Sequence, residues 1–441
     1  MTASQTELIC RLRELAFRRE LSPEEAREMA ELTFAGYREF LNPAFLRAKR
    51  GGTAHEVEWR GEGPWMISAD GERFIDCLGG YGVFALGHRP KEVIAAMEQV
   101  FQRIGLYSQE LLNPFQAALA GLLAELSPGN LKYTYFHCGG AESNDAAIKV
   151  ARLATGRTLH ISFSRAFHGK TMGSLSATNR PSIKRPFEPL VPGFVELPWN
   201  DLEAFERFMA GRGGEVASVI VEPIQGEGGI NLPDDEFLPG LRRITRQYGA
   251  LLHLDEVQTG LCRTGKFFAA QWWGVEPDLM TLGKALGGGV VAISAVMGTP
   301  EVWKGLEENP YYITNTFAGA QPVCAAALRA LELYREMDLA EQSREKGEKF
   351  VGELRELQNR FPHLIREVRG KGLFIGVEMS SEALGKKVAD LLFERRVLTA
   401  NTMNNPATIR IEPPLIITEE LIGEVLSRFE DALRSLSQEA A

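Results

Sequence analysis

The sequence predicts an α/β fold in which a large, mostly parallel sheet is sandwiched by helices, with a smaller α+β domain beside it. Three observations carry that prediction. Short β-branched runs alternate with amphipathic helical segments between residues 75 and 300. Those runs end in or near charged residues at regular intervals. From residue 323 onward a long helical stretch gives way to short strands. Strands joined by helical crossovers pair in parallel, and a parallel sheet needs cover on both faces.

Taken in order, Ser22-Pro23-Glu24-Glu25 reads as a helix start: a hydroxyl N-cap, a proline at the first helical position and a glutamate closing a capping box. Ala26, Met29, Thr33, Phe34, Tyr37 and Leu41 keep the helical period until Asn42-Pro43 stops it. Residues 51–76 turn strand-like between glycine turns, a β excursion ahead of the main domain. Residues 218–222 (SVIVE) are a β-branched run ending in a carboxylate. Residues 237–248 place Leu238, Leu241, Ile244 and Tyr248 on one helical face. Residues 250–255 (ALLHLD) again end in a carboxylate, and residues 278–282 (DLMTL) end just before Lys284. Beyond them, residues 323–358 read as one long helix, followed by strands at 372–379, 397–400 and 408–411 and a final helix from Thr418. No repeat, low-complexity tract or long linker interrupts this order, so the domains are expected to touch.

The composition suits such a fold. The 441 residues are 44% hydrophobic and 24% charged, and 49 basic against 58 acidic residues leave a formal charge of −9. Disorder, collagen and coiled coil lack that balance. At about 150 residues per domain the length allows about three domains, or one large domain with an appendage. A negative net charge without a basic block argues against nucleic-acid and anionic-membrane partners. Five scattered cysteines, with no CxxC and no Cys/His cluster, give neither a disulfide framework nor a metal site. Arg11, Arg13, Glu14, Arg18 and Arg19 deny the N-terminus a signal-peptide core. No apolar run approaches the ~18 residues of a membrane span. A cytoplasmic protein is the expectation.

Open parallel sheets hold ligands at the carboxyl ends of their strands. Glu222, Asp255 and Lys284 occupy three such ends, 33 and 29 residues apart, each about one strand–helix unit, so all three side chains can share one crevice. Lys284 is the only charged residue between 279 and 300. A lysine in apolar surroundings loses proton affinity and becomes a nucleophile toward carbonyls; the plain alternative is a lysine that snorkels to solvent. Asp255 suits a protonated aromatic nitrogen, or simply a helix N-cap. Residues 133–137 (YTYFH), the turn Cys138-Gly139-Gly140-Ala141 and a helix from Asn144 have the strand–turn–helix order in which backbone N–H groups bind a phosphate. Thr316 offers a hydroxyl ahead of the long helix. Phe167, after the run HISFS, can stack on a flat ring or belong to the core. His168 beside it is an acid–base or a structural histidine.

GAESNDAAIKVAR, AFHGKT, VEPIQGEGG, LDEVQTG, RTGK, LGKALGGG and IRIEPPL occur in order along the chain. In sequence and spacing, over nearly its whole length, the chain resembles the class III pyridoxal-phosphate-dependent aminotransferases. FIDCLGGYGVFALGHR, SQELLNP and LSPGNLKY are most similar to members that act on putrescine. The resemblance implies a fold-type-I transferase with pyridoxal 5′-phosphate as cofactor. It implies residues 75–322 as the large cofactor-binding domain and residues 323–441 as the small domain. Residues 1–74 would form an N-terminal helix and β segment that joins the small domain and the dimer contacts. Lys284 would be the Schiff-base lysine and proton shuttle, Asp255 the partner of the pyridine nitrogen and Gln258 a contact of the ring's 3-oxygen. Phe167 would stack on the ring, with His168 and Glu222 among the cofactor-binding residues. Gly140 and Ala141 would cradle the phosphate, and Thr316 would reach the phosphate held by the other subunit of a homodimer or dimer of dimers. Arg410 would grip the α-carboxylate of the oxo acid, and Glu227 would neutralise that arginine when the donor has no carboxylate.

The implied reaction moves the terminal amino group of a putrescine-like diamine to 2-oxoglutarate, or to pyruvate, by a ping-pong mechanism. An enzyme of the ornithine or acetylornithine type, or one for another ω-amino acid, stays open beside it. So do a non-transaminase pyridoxal enzyme and a non-catalytic relative. Three departures touch the site. Gly139-Gly140-Ala141 has lost the hydroxyls of the family's phosphate loop, which implies weaker phosphate binding. Cys262 stands where the family has glycine before RTG, and Ala318-Gly319-Ala320-Gln321-Pro322 replaces a glycine–glycine–asparagine–proline segment.

Overall fold

The computed structural model describes residues 3–48 and 56–439. Its centre is a seven-stranded sheet in the order Tyr133–His137, Ser294–Gly298, Leu279–Leu282, Leu251–Asp255, Val216–Val221, Leu159–Phe163 and Phe194–Leu197. Ser294–Gly298 runs antiparallel to both neighbours, and the other pairings are parallel. Helices Gly140–Thr155, Leu202–Arg212 and Phe237–Tyr248 are among those that cover it, and Val216–Val221 and Leu159–Phe163 are buried along their whole length. Burial on both faces explains why these strands read as continuous apolar runs rather than alternating ones. Asp255 pairs with Thr281 and Val221 with Leu254, so the three central strands finish level. That register brings Glu222, Asp255 and Lys284 to one edge.

Two smaller sheets complete the β structure. Glu58–Glu62, Trp65–Ser68 and Arg73–Asp76 form one with Val397–Leu398, which arrives from the far end of the chain and pairs in parallel with Arg73–Asp76. Ile365–Lys371, Phe374–Met379, Thr408–Ile411 and Ala400–Asn401 form the other, antiparallel throughout. The start of the predicted β excursion, residues 51–55, lies outside the described residues. The predicted helix start holds: Glu25 N–H donates to Ser22 Oγ, and Ser22 N–H donates to the Glu25 carboxylate.

Three expectations need correction, and one strand was not expected at all. The long helix is two helices, Gln321–Glu336 and Leu339–Arg360, broken at Asp338, whose φ is +50°. A short polar side chain tolerates that left-handed turn, and the break lets the second helix lie on the C-terminal sheet. The strand expected at 397–400 is two pieces in different sheets, because the chain changes sheet at Thr399. The helix expected from Asn144 begins at Gly140, because Glu142 folds back onto the N–H groups of Cys138 and Gly139 and caps it earlier. The unexpected strand is Ile365–Lys371, which the charged residues Arg366, Glu367, Arg369 and Lys371 hide in the sequence.

Candidate active site

At the level end of the central strands, Asp255 is almost fully buried. Its Oδ2 accepts from Asn144 Nδ2 and from the His168 ring through Nδ1, both at 2.8 Å, and its Oδ1 accepts from the Val257 N–H at 3.1 Å. Burial opposes ionisation, but the hydrogen bond and charge of His168, the nearby His253 and the Asn144 amide outweigh it, and the carboxyl stays below its usual range. Asn144 is itself fixed, accepting from Thr281 Oγ1 at 2.7 Å and donating to the His168 carbonyl. Asp255 is therefore an oriented anion at the bottom of the crevice.

Lys284 follows the strand Leu279–Leu282 with φ +46°, a left-handed conformation that a side chain rarely adopts. Burial lowers its pKa below the ordinary lysine value, with Glu412, Arg410, Glu227 and Asp255 pulling in both directions around it. Gly140 and Ala141 open the helix Gly140–Thr155, and among the described residues their N–H groups donate to no protein acceptor. A Cβ on Gly140 would come within 2.8 Å of Val257, so only glycine lets the turn approach this end of the sheet. Glu222 is buried and accepts from the N–H groups of Phe167 (3.0 Å) and Gly226 (2.9 Å). Burial pushes its carboxyl up to about 7. Its observed contact is thus with the backbone that presents Phe167, whose ring is half-buried.

Arg410 lies on Thr408–Ile411 and is fully buried. Its Nη2 stands 2.7 Å from Glu227 Oε1, yet none of its three guanidinium nitrogens has an aligned hydrogen-bond partner. Burial works against its charge, but Glu227 and Glu412 outweigh that and raise its pKa; Arg410 in turn holds the Glu227 carboxyl low against burial. Glu227 also accepts from the Met403 N–H at 2.7 Å. Gln258 donates from Nε2 to Glu412 Oε2 at 3.0 Å.

Thr316 is the one predicted residue standing apart. It is exposed, and its carbonyl accepts from Gln109 Nε2 at 2.9 Å, while neighbouring Asn315 donates to Glu142 Oε1 at 2.7 Å beside the glycine turn. The sequence reading passed over Asn144, Tyr81, Arg263 and Glu412. Tyr81 holds its ring 5.2 Å from the Arg410 guanidinium, and Arg263 Nε stands 3.7 Å from Glu412. All four lie inside the recognised segments, so the signal was present and only the partners were missing.

Residues 48–433 match the family described as Aminotransferase class-III. The chain belongs to that family. It is 44% identical over 428 residues to a putrescine aminotransferase of Pectobacterium atrosepticum, covering 95% of this chain and 92% of the relative. Among solved structures, an ornithine aminotransferase of Toxoplasma gondii superposes with a TM-score of 0.85 at 30% identity, covering 96% of this chain and 99% of that one. An (S)-enantioselective ω-transaminase of Thermomicrobium roseum gives 0.85 at 32%, over 92% and 98%. The chain is therefore an aminotransferase of fold type I that depends on pyridoxal 5′-phosphate. Its site residues fit that group. Asp255 is an anion suited to a protonated ring nitrogen, the N–H groups of Gly140 and Ala141 suit a phosphate at a helix N-terminus, and Lys284 is a lysine of lowered proton affinity.

Proposed function

We propose that this aminotransferase moves the terminal amino group of a putrescine-like diamine to 2-oxoglutarate, leaving an aminoaldehyde and glutamate in two half-reactions. The observation that carries the reading is Arg410, buried and charged, with Glu227 at 2.7 Å and no aligned hydrogen bond on any of its nitrogens. Leaving such a guanidinium unpaired costs about 3–5 kcal/mol. Glu227 covers it while a donor without a carboxylate is bound. In the second half-reaction the oxo acid's α-carboxylate takes that place by a bidentate pair. The 44% identity to a putrescine aminotransferase supports the donor class.

When bound, the cofactor supplies an electron sink for the pair left at the donor's terminal carbon. Lys284 Nζ, its proton affinity lowered by burial, would take the proton from that carbon in the first half and deliver one to the oxo acid's carbon in the second. Asp255, braced by His168 and Asn144, would hold the ring nitrogen protonated. Gln258 would meet the ring's 3-oxygen, Phe167, whose backbone Glu222 ties, would stack on the ring, and Gly140 and Ala141 would hold the phosphate.

A homodimer belongs to the same proposal, with Thr316 serving the phosphate bound by the other subunit. Its support is an apolar surface around Thr316, where Leu111 (79% exposed), Leu112 (99%), Tyr311 (77%) and Phe317 (61%) stand on two segments that Gln109 and Tyr107 tie together. The parallel pairing of Val397–Leu398 with Arg73–Asp76 supports a small domain drawn from both chain ends, residues 1–74 and 323–441, around a large domain of residues 75–322. A cytoplasmic location is supported by five free cysteines; among the described residues no helix is long and apolar enough to cross a membrane.

Steady-state rates with 2-oxoglutarate and a donor panel of putrescine, cadaverine, ornithine and 4-aminobutyrate test the reading. Putrescine or cadaverine is expected to give the highest kcat/KM. Ornithine turning over much faster than putrescine would overturn the donor assignment.

A further inference from the structure

Two residues beyond Arg410, Glu412 is fully buried, and it belongs to none of the roles above. Its Oε2 accepts from Gln258 at 3.0 Å and lies 3.7 Å from Arg410 Nη1; its Oε1 lies 3.7 Å from Arg263 Nε and has no hydrogen-bond partner. The carboxylate cannot leave. Its backbone N–H is bonded to the Cys77 carbonyl, and the turn at Gly82 closes over Oε1 so tightly that a Cβ there would approach to 2.5 Å. Glu227 differs, keeping an 11% exposed side chain at the crevice. The cluster thus holds two cations, Arg263 and Arg410, against one displaceable carboxylate and one fixed one. Of the charged groups around Lys284, Glu412 also acts most strongly.

We propose that Glu412 is a positioning residue that sets donor specificity, a permanent counter-charge keeping Arg410 partly neutralised after Glu227 has moved aside. The inference rests on the dual use of Arg410 argued above. A carboxylate entering the site meets an arginine already shared with Glu412, so it binds less tightly than a bare guanidinium would hold it. A diamine, which brings a second positive charge instead, finds an anion that does not move. Arg263 stands behind Glu412, 3.7 Å from Oε1, and Gln258 holds its other oxygen from the crevice side.

The test compares wild-type holoenzyme with Glu412→Gln, which keeps the shape and can still accept from Gln258. Glutarate, an unreactive dicarboxylate, is titrated by calorimetry, and kcat/KM is measured for putrescine and for 4-aminobutyrate. Charges 3.7 Å apart at an intermediate dielectric make a large lever. The variant is expected to bind glutarate at least about tenfold more tightly and to raise the 4-aminobutyrate-to-putrescine ratio by at least about tenfold. A merely structural role would lower both donors together and leave glutarate binding unchanged or weaker, and that result overturns the proposal. Should the glutamine variant not fold, Glu412→Asp, which draws the charge back by one methylene, is expected to tighten glutarate binding about threefold or more, and an unchanged affinity counts against the proposal equally. If wild-type enzyme neither binds glutarate nor accepts putrescine, it is the underlying reading of Arg410 that fails.

Discussion

Lys284 combines a left-handed backbone, φ +46°, with a pKa lowered by burial, and a residue held in that conformation costs about 1–3 kcal/mol that the rest of the fold must offset. Lys284→Ala is expected to reduce turnover by about 10⁴-fold or more while leaving the circular dichroism spectrum unchanged; activity near wild type would remove Lys284 from the chemistry. Cys262, the residue expected to depart from the family pattern, is buried and has a φ of +72°. A left-handed side-chain residue costs about 1–2 kcal/mol, roughly what burying a thiol returns. Cys262→Gly should therefore change the urea-unfolding free energy by less than about 1 kcal/mol. Cys262→Val, β-branched at the same φ, should lower it by about 2 kcal/mol. Equal effects of the two substitutions would refute the backbone argument.

The strands of the central sheet and the residues just past their ends carry opposing titrations. Burial lowers His160 and His253 to about 3, and it raises Glu222 and Glu256 to about 7. Each histidine is neutral in the folded chain but protonates near 6.5 when unfolded, so its contribution is full above 6.5 and is lost as pH falls from there toward about 3. Each glutamate keeps its proton up to about 7 when folded and only to about 4.5 when unfolded. Its contribution is therefore full below about 4.5 and is lost as pH rises to about 7. The two pairs offset each other between pH 5 and 7. The double substitution His160→Gln, His253→Gln should make the chain gain stability as pH falls from 7 to 5, measured as urea midpoints; a pH dependence matching wild type would contradict the assignment.

Elements were legible where one physical rule governed them. Residues 133–137, 237–248 and 408–411 agree with the structure to the residue, because periodicity and turn chemistry coincide there. Ile365–Lys371 was not legible, since four of its seven residues are charged and only pairing with Phe374–Met379 makes it a strand. Glu412 went unread for a related reason. Its motif was recognised, but only folding places it among Gln258, Arg410 and Arg263.

At the scale of the whole molecule, the exposed leucines and aromatics around Thr316 form an apolar surface that the proposed homodimer would cover. Leu112→Glu places a charge at a residue 99% exposed, so it costs the fold little. Under the proposed homodimer it is expected to shift the protein to monomer in sedimentation and, if Thr316 serves the other subunit's phosphate, to lower cofactor retention; a variant with unchanged sedimentation and full retention would contradict that use of the surface. The informative charge statistic also changes with scale. The total of −9 says little about function, whereas one lysine in an otherwise uncharged stretch points to the candidate site.

The most direct test of the central claim is the donor half-reaction, followed by the visible absorbance of cofactor-loaded enzyme without any oxo acid. Putrescine is expected to discharge the band with one equivalent of aminoaldehyde formed per site, and 2-oxoglutarate to restore it with one equivalent of glutamate. No spectral change with putrescine, or recovery without glutamate, would contradict the account.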